Sequence, residues 1–334
     1  MPELALRQAR KLGHVAESAT MPSLRPFDRT LPCAMPTRRL SRPLSALPTA
    51  ALALLLSACA TTTTSTPTEP AGPKIDRTYT SVAQDSRALF IVLHYTALDW
   101  EKSLKVLATG GQVSAHYLVR DEPAAIYQLV DENRRAWHAG ASFWAGHSNL
   151  NSASIGIEIV NPGYKDTELG RVYPPYPQAQ VDEIIALVRD IAKRHNVRPE
   201  RIIGHSDIAP GRKQDPGPSF PWKQLADAGL IPWPDAVQVA AKIPLYAALP
   251  PDAAWFQDKL TRVGYSTSRS GIEDDLTKAT IATFQSKYRP RDWSGAMDAE
   301  TAALLDVATS PGGMLLAKSM AAPANEPKPL SSRF

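Results

Sequence analysis

The chain has 334 residues, 43% of them hydrophobic, and a formal net charge of +4. This is enough for one sizeable domain with a real core plus a smaller one. So small a charge, with no basic stripe carrying interleaved aromatics, gives no argument for a nucleic-acid partner, and none is expected. The 30 prolines gather outside the periodic segments and mark linkers. The two cysteines, Cys33 and Cys59, both precede the first segment that reads as folded, so the folded part holds no disulfide of its own.

Residues 1–34 are polar and lack strong periodicity. They precede a normal signal start at Met35-Pro36-Thr37-Arg38-Arg39 and read as an extension from a start codon assigned too early. Residues 35–58 read as a secretory signal: Arg38, Arg39 and Arg42, an apolar run from Leu44 to Leu56, then small residues. The run is shorter than the ~20 apolar residues of a comfortable transmembrane helix. Leu56-Ser57-Ala58-Cys59 resembles the lipobox of bacterial lipoproteins, which implies a lipid such as palmitate on Cys59 and a membrane partner; the alternative is a plain secretion signal with an incidental cysteine. Ala60, by resemblance to enterobacterial sorting, points to the periplasmic face of the outer membrane. Residues 59–77, with Thr61-Thr62-Thr63-Thr64-Ser65-Thr66-Pro67, form a polar tether with nothing to bury.

Residues 78–235 read as an α+β domain, a mixed central sheet flanked by helices. Ala88 to His94 is a continuous apolar run suited to a buried strand. Trp100 to Ala108 reads as a short helix. Ala115 to Val119 and Ala125 to Val130 are strand-like about a turn at Asp121-Glu122, and Ile155 to Val160 is a further strand. Pro177 to His195 has helical spacing, with Val181, Ile184, Ile185, Val188, Ile191 and Ala192 on one face. Arg201 to His205 is a brief last strand. Residues 245–308 read as a separate three-helix module: Ala253 to Val263 ending near Gly264, Leu276 to Tyr288, and Asp298 to Leu305 capped by Asp298. From residue 309 the Pro/Ala/Lys-rich tail reads as disordered.

Three polar residues interrupt apolar strands. His94 and His205 end two of them, and Glu158 sits inside a third on the face of Gly156 and Val160. A buried carboxylate without a partner costs several kcal/mol or shifts its pKa. The loop after His205 adds Lys213 and Asp215. Two histidines and a carboxylate, with a fourth position left to water, are one arrangement for catalytic zinc; a structural histidine and a paired structural acid are the alternatives that spacing alone leaves open.

Val92-Leu93-His94-Tyr95-Thr96, Ser114-Ala115-His116-Tyr117-Leu118-Val119, Ser154-Ile155-Gly156-Ile157-Glu158 and the run His205 to Gly217 resemble, in order, the second family of N-acetylmuramoyl-L-alanine amidases. That family is related to the peptidoglycan recognition proteins, and with the lipobox the resemblance is greatest to its lipoprotein members. The resemblance implies one zinc per chain on His94, His205 and Asp215. It further implies Glu158 as the general base that takes a proton from the attacking water, and Lys213 as the charge that stabilises the tetrahedral oxyanion. The implied reaction is hydrolysis of the amide between muramoyl sugar and L-alanine in peptidoglycan or muropeptides. A peptidoglycan-binding protein without activity is the alternative, disfavoured because every ligand position is filled.

His116, Trp137, His138 and Asn149 are candidate substrate contacts, with packing roles as the alternative. His147 and His195 read as surface residues. Phe256-Gln257-Asp258-Lys259-Leu260, Gly264-Tyr265, Thr280 to Gln285 and Gly295 to Thr301 resemble the three-helix peptidoglycan-binding domain, which implies added avidity for the polymer.

Overall fold

The computed structural model describes residues 72–168 and 170–318. The extension over 1–34, the signal, Cys59, the start of the tether and the tail from 319 lie outside the described residues. All regular elements fall in one compact unit that begins at Asp76.

In chain order the elements are β1 (Phe90–Tyr95), α1 (Trp100–Leu104), β2 (Tyr117–Arg120), β3 (Ala125–Gln128), β4 (Phe143–Trp144), β5 (His147–Ser148), β6 (Ser154–Ile159), β7 (Lys165–Thr167), β8 (Gly170–Val172) and α2 (Gln178–His195). There follow β9 (Ile202–Gly204), α3 (His205–Ile208), α4 (Trp222–Asp227), β10 (Trp233–Pro234), α5 (Ala236–Ala248), α6 (Ala253–Val263), α7 (Asp275–Tyr288), α8 (Ala299–Ala308) and β11 (Met314–Leu315). The helix expected from Trp100 to Ala108 is α1 continued by a π-helical turn over Lys105–Thr109.

The main sheet has the order β3-β2-β6-β1-β9, parallel except for the β2–β3 pair. The unbroken apolar run of β1 is what a central parallel strand needs, because both of its faces are covered. On one face Ile91, Leu93, Ile155, Ile157 and Ile159 pack against Val181, Ile184, Val188 and Ile191 of α2. Each fully buried isoleucine here contributes roughly 1.5–3 kcal/mol. The alternate residues Phe90 and Val92 share the second core with Phe256, Leu260, Ile281, Phe284 and Leu305.

The three C-terminal helices therefore form as expected, but they are not separate from the rest: their apolar stripes join the core on the second face of the sheet. Asp252, Asp274 and Asp298 cap them, each accepting a hydrogen bond from a backbone N–H three residues on. The sequence reading left α5 unassigned, and it packs along α8. Inside the tail read from 309, Met314–Leu315 form β11 and pair antiparallel with β10.

Lys287 of α7 forms an ion pair with Asp207 of α3 at 3.1 Å, with side chains only 7% and 2% exposed. Tyr265 donates to the other oxygen of Asp207 at 2.7 Å, and the Gly204 N–H donates to Oδ2 at 2.8 Å. His195 corrects its reading as a surface residue: its ring is half-buried, 2.8 Å from Glu132, which also accepts from Tyr117 and Arg194.

Candidate metal centre and substrate cleft

The site lies at the carboxyl ends of parallel strands, where open α/β sheets bind ligands. His94 and Glu158 are direct partners in the β1–β6 register, and both project on the face opposite α2. His205 follows β9 immediately. Asp215 returns to it because the Ser206 N–H donates to the Asp215 carbonyl at 2.8 Å. Gly204 permits that return: a Cβ there would meet Pro216 Cδ at 2.8 Å.

His94 Nδ1, His205 Nδ1 and Asp215 Oδ2 form a small triangle with separations of 2.9, 3.1 and 3.0 Å. Their tautomers follow from what stands behind each ring. His205 Nε2 faces the Ala139 carbonyl at 3.1 Å, which only accepts, so Nε2 carries the proton and Nδ1 the lone pair. Behind His94 the chain is longer. Ser154 Oγ donates to the Leu150 carbonyl at 2.6 Å, so it accepts from His138 Nε2 at 3.1 Å. His138 Nδ1 then accepts from His94 Nε2 at 3.0 Å, and His94 Nδ1 keeps its lone pair. Two lone pairs and a carboxylate thus converge with no hydrogen among them. The three atoms are close enough for one ion with bonds of ~2.0–2.2 Å to satisfy all of them, and the His–carbonyl and His–His contacts behind are the outer partners such ligands require. The residues fit a zinc ion.

Charge agrees with this. Burial, reinforced by His205, pushes the His94 pKa down to about 4, so the ring is neutral. Glu158 stands apart from the triangle, with Oε1 4.0 Å from His94 Nδ1. Burial first, and then the Asp215 charge, hold its pKa well above the carboxylate range, with Lys213 opposing them. Its Oε2 is buried without a hydrogen-bond partner among the described residues.

A cleft of about 400 Å³ opens beside these groups, lined by Leu98, Val106, Trp137, Tyr164, Lys213 and Gln214. The structure brings together His94, His205, Asp215, Glu158 and Lys213. Trp137 lines the cleft and is 51% exposed. His138 borders the cleft, but both its ring nitrogens are committed to His94 and Ser154, so it stands behind a ligand instead of reading substrate. Gly156 makes room for that ring, since a Cβ there would meet His138 Cγ at 2.4 Å.

His116 is not in the cleft. It is fully buried, with Nδ1 accepting from the Gly156 N–H at 3.0 Å and Nε2 against the Arg134 carbonyl at 3.1 Å. Asn149 is an exposed left-handed residue (φ 54°) outside the cleft lining. The sequence reading passed over Tyr164, Gln214 and Arg212; the last donates to the Ala139 carbonyl at 3.0 Å and so braces the segment behind His205. Lone polar and aromatic residues in loops gave no periodic signal.

The family model for N-acetylmuramoyl-L-alanine amidase matches residues 84–218, and one for a peptidoglycan binding domain matches 250–305. Over 270 residues the chain is 40% identical to the N-acetylmuramoyl-L-alanine amidase AmiD of Escherichia coli, covering 77% of this chain and 94% of that protein. The chain belongs to the N-acetylmuramoyl-L-alanine amidase family. The amidase is also similar to AmpDh3 from Pseudomonas aeruginosa, solved in complex with anhydromuramic pentapeptide (TM-score 0.64, 38% identity, 70% of this chain and 96% of that one). It resembles equally the E. coli AmiD structure holding anhydro-N-acetylmuramic acid-L-Ala-D-gamma-Glu-L-Lys (TM-score 0.64, 38% identity, 70% of this chain and 93% of that one). These likenesses agree with the mixed sheet and flanking helices of the amidase.

Proposed function

We propose that this amidase is zinc-dependent and hydrolyses the bond between the N-acetylmuramoyl lactyl group and L-alanine in peptidoglycan and muropeptides. The observation that carries the reading is the convergence of two histidine lone pairs and the Asp215 carboxylate beside an unpaired, buried Glu158 oxygen. Bound zinc would polarise the scissile carbonyl and bring the pKa of a water down to ~7. Glu158 takes the proton of the attacking water and passes it to the leaving L-alanine nitrogen, a role its raised pKa suits. Lys213, in the cleft lining, would place positive charge where the oxyanion develops. Trp137 offers the cleft an exposed aromatic face.

The test is digestion of purified sacculi with and without chelator, with mass spectrometry of the products and metal analysis of the protein. One zinc per chain is expected, chelation should abolish release of peptides that begin with a free L-alanine amine, and added zinc should restore it. Full activity in a metal-free preparation would end the zinc reading, and cuts within the stem peptide would end the amidase one.

The anchor belongs to the same proposal and rests on Leu56-Ser57-Ala58-Cys59. A lipid on Cys59 would hold the enzyme at the periplasmic face of the outer membrane. From Cys59 to Arg77 the tether reaches at most about 60 Å at ~3.3 Å per residue, enough to stand the catalytic unit off the bilayer. Cys59→Ala should block lipidation and leave the protein unprocessed or mislocalised. A wild-type protein that incorporates no labelled palmitate would refute the anchor.

A further inference from the structure

A second cavity of about 220 Å³ lies beside the catalytic cleft. One wall is the ligand-bearing loop, with Ser206, Lys213 and Gln214; the other is α7, with Ala279 and Thr283; Trp293 and Tyr173 complete it. Lys213 and Gln214 line both spaces, so only their segment separates the two. An aromatic ridge joins them. Tyr164 in the cleft lies 5.7 Å from Tyr173, and Tyr173 lies 5.6 Å from Trp293 between ring centroids.

The ridge is held in place from both sides. Gln214 Oε1 accepts from Tyr173 Oη at 2.8 Å and from Arg171 at 3.0 Å. The loop carrying Trp293 is braced by Arg289, whose Nε donates to the Asp292 carbonyl at 3.0 Å, and by the Gly295 N–H, which donates to Gln285 Oε1 at 2.8 Å. The cavity lining contains no carboxylate and a single cation, Lys213. Tyr164 carries the Arg171 guanidinium on one face at 4.2 Å, and Tyr173 and Trp293 meet edge-on at 82°, so the wall offers aromatic edges and the remaining faces, hydroxyls and one amide, groups that suit an uncharged chain of N-acetylated hexoses.

The geometry points to this cavity as a glycan subsite: the sugars flanking the scissile muramoyl residue run over Tyr164 and Tyr173 to Trp293, so that α7 and the loop after it hold the polymer immediately beside the reaction. The inference rests on the amidase reading and gives the C-terminal helices a part in positioning substrate, beyond retaining the enzyme on the wall.

The experiment compares kcat/KM on soluble uncrosslinked glycan strands bearing stem peptides with kcat/KM on a muropeptide carrying one sugar. Trp293→Ala should lower the strand-to-muropeptide ratio on the order of tenfold, mainly through KM, as expected for loss of an aromatic anchor. Trp293→Phe should retain most of the ratio. Ala279→Phe, which fills the cavity from a half-exposed position on α7, should lower it independently of how Trp293→Ala folds. A ratio within about twofold of wild type in both Trp293→Ala and Ala279→Phe overturns the subsite, as does an equal loss on both substrates. A defect that follows peptide length at a fixed number of sugars assigns the cavity to peptide and also overturns it. Failure of the wild-type enzyme on both substrates would instead strike the amidase reading.

Discussion

Glu158→Gln should leave the folded protein and its metal content intact while lowering kcat on the order of 10²-fold or more, the usual range for loss of a general base. Glu158 is not one of the three triangle atoms, and its Oε2 has no hydrogen-bond partner to lose. Glutamine keeps the shape and removes only the capacity to take a proton, so kcat and kcat/KM should fall together. Asp215→Ala should behave differently, losing metal and activity at once, because Oδ2 is an apex of the triangle. Lys213→Ala should keep the metal and lose turnover by roughly 10²–10³-fold, as for a missing oxyanion donor. The raised pKa of Glu158 also fixes a sign for the metal-free protein. Its carboxyl binds a proton more tightly folded than unfolded, so its contribution is present below the unfolded pKa and is lost as pH rises through the folded one. Glutamine should remove that part of the pH dependence. Zinc analysis, melting curves and kinetics on the three variants decide the matter; loss of zinc from Glu158→Gln, or a normal rate, would dismiss the general-base role.

Lys287→Met should lower the unfolding free energy by about 3–5 kcal/mol, the cost of leaving one member of a buried ion pair without the other. Asp207 would keep its bonds from Tyr265 and the Gly204 N–H but lose its counter-charge. At roughly 2–4 °C per kcal/mol, Tm should fall by about 6–20 °C. The strain would fall on α3, where Asp207 is two residues from His205, a proposed ligand, so added zinc should also be held less tightly. The double variant Asp207→Asn with Lys287→Met removes both charges and should recover much of the loss, since methionine still packs against Trp222 where the Lys287 ammonium sits 4.2 Å from the ring centroid. A fall below about 1 kcal/mol in Lys287→Met would show that the pair does not tie α7 to α3.

The strands, α2 and the helix caps were legible because each left a local mark, and His94, Glu158 and His205 stood out as polar groups set in or at the ends of apolar runs, whereas Lys213 and Asp215, in a loop, drew their readings from the family resemblance. His116 and His138 were not separable in that way. Both follow an apolar or aromatic neighbour in short motifs, and only the folded sheet shows that one ring bridges β2 to β6 while the other backs His94. The apolar faces of α6 and α7 announced burial but not what they would bury against. Asp207 and Lys287 stand 80 residues apart in sequence, and nothing local pairs them. The helix α5 was missed because its Ala/Val-rich run carries Pro244 inside it, which reads as a breaker.

The pairing of His94 with Glu158 across β1 and β6 has an evolutionary consequence. Neighbouring strands lie about 4.8 Å apart whatever their sequence, so the separation between His94 and Glu158, the proposed ligand and proton acceptor, is a property of the sheet and not of any loop. The 164–173 segment, which holds neither of the groups behind the histidines, is then free to lengthen, shorten or exchange aromatics as the wall it acts on changes. Specificity is able to drift while the reactive spacing stays constant, and swapping that segment between relatives is the natural way to retarget the enzyme without rebuilding its chemistry.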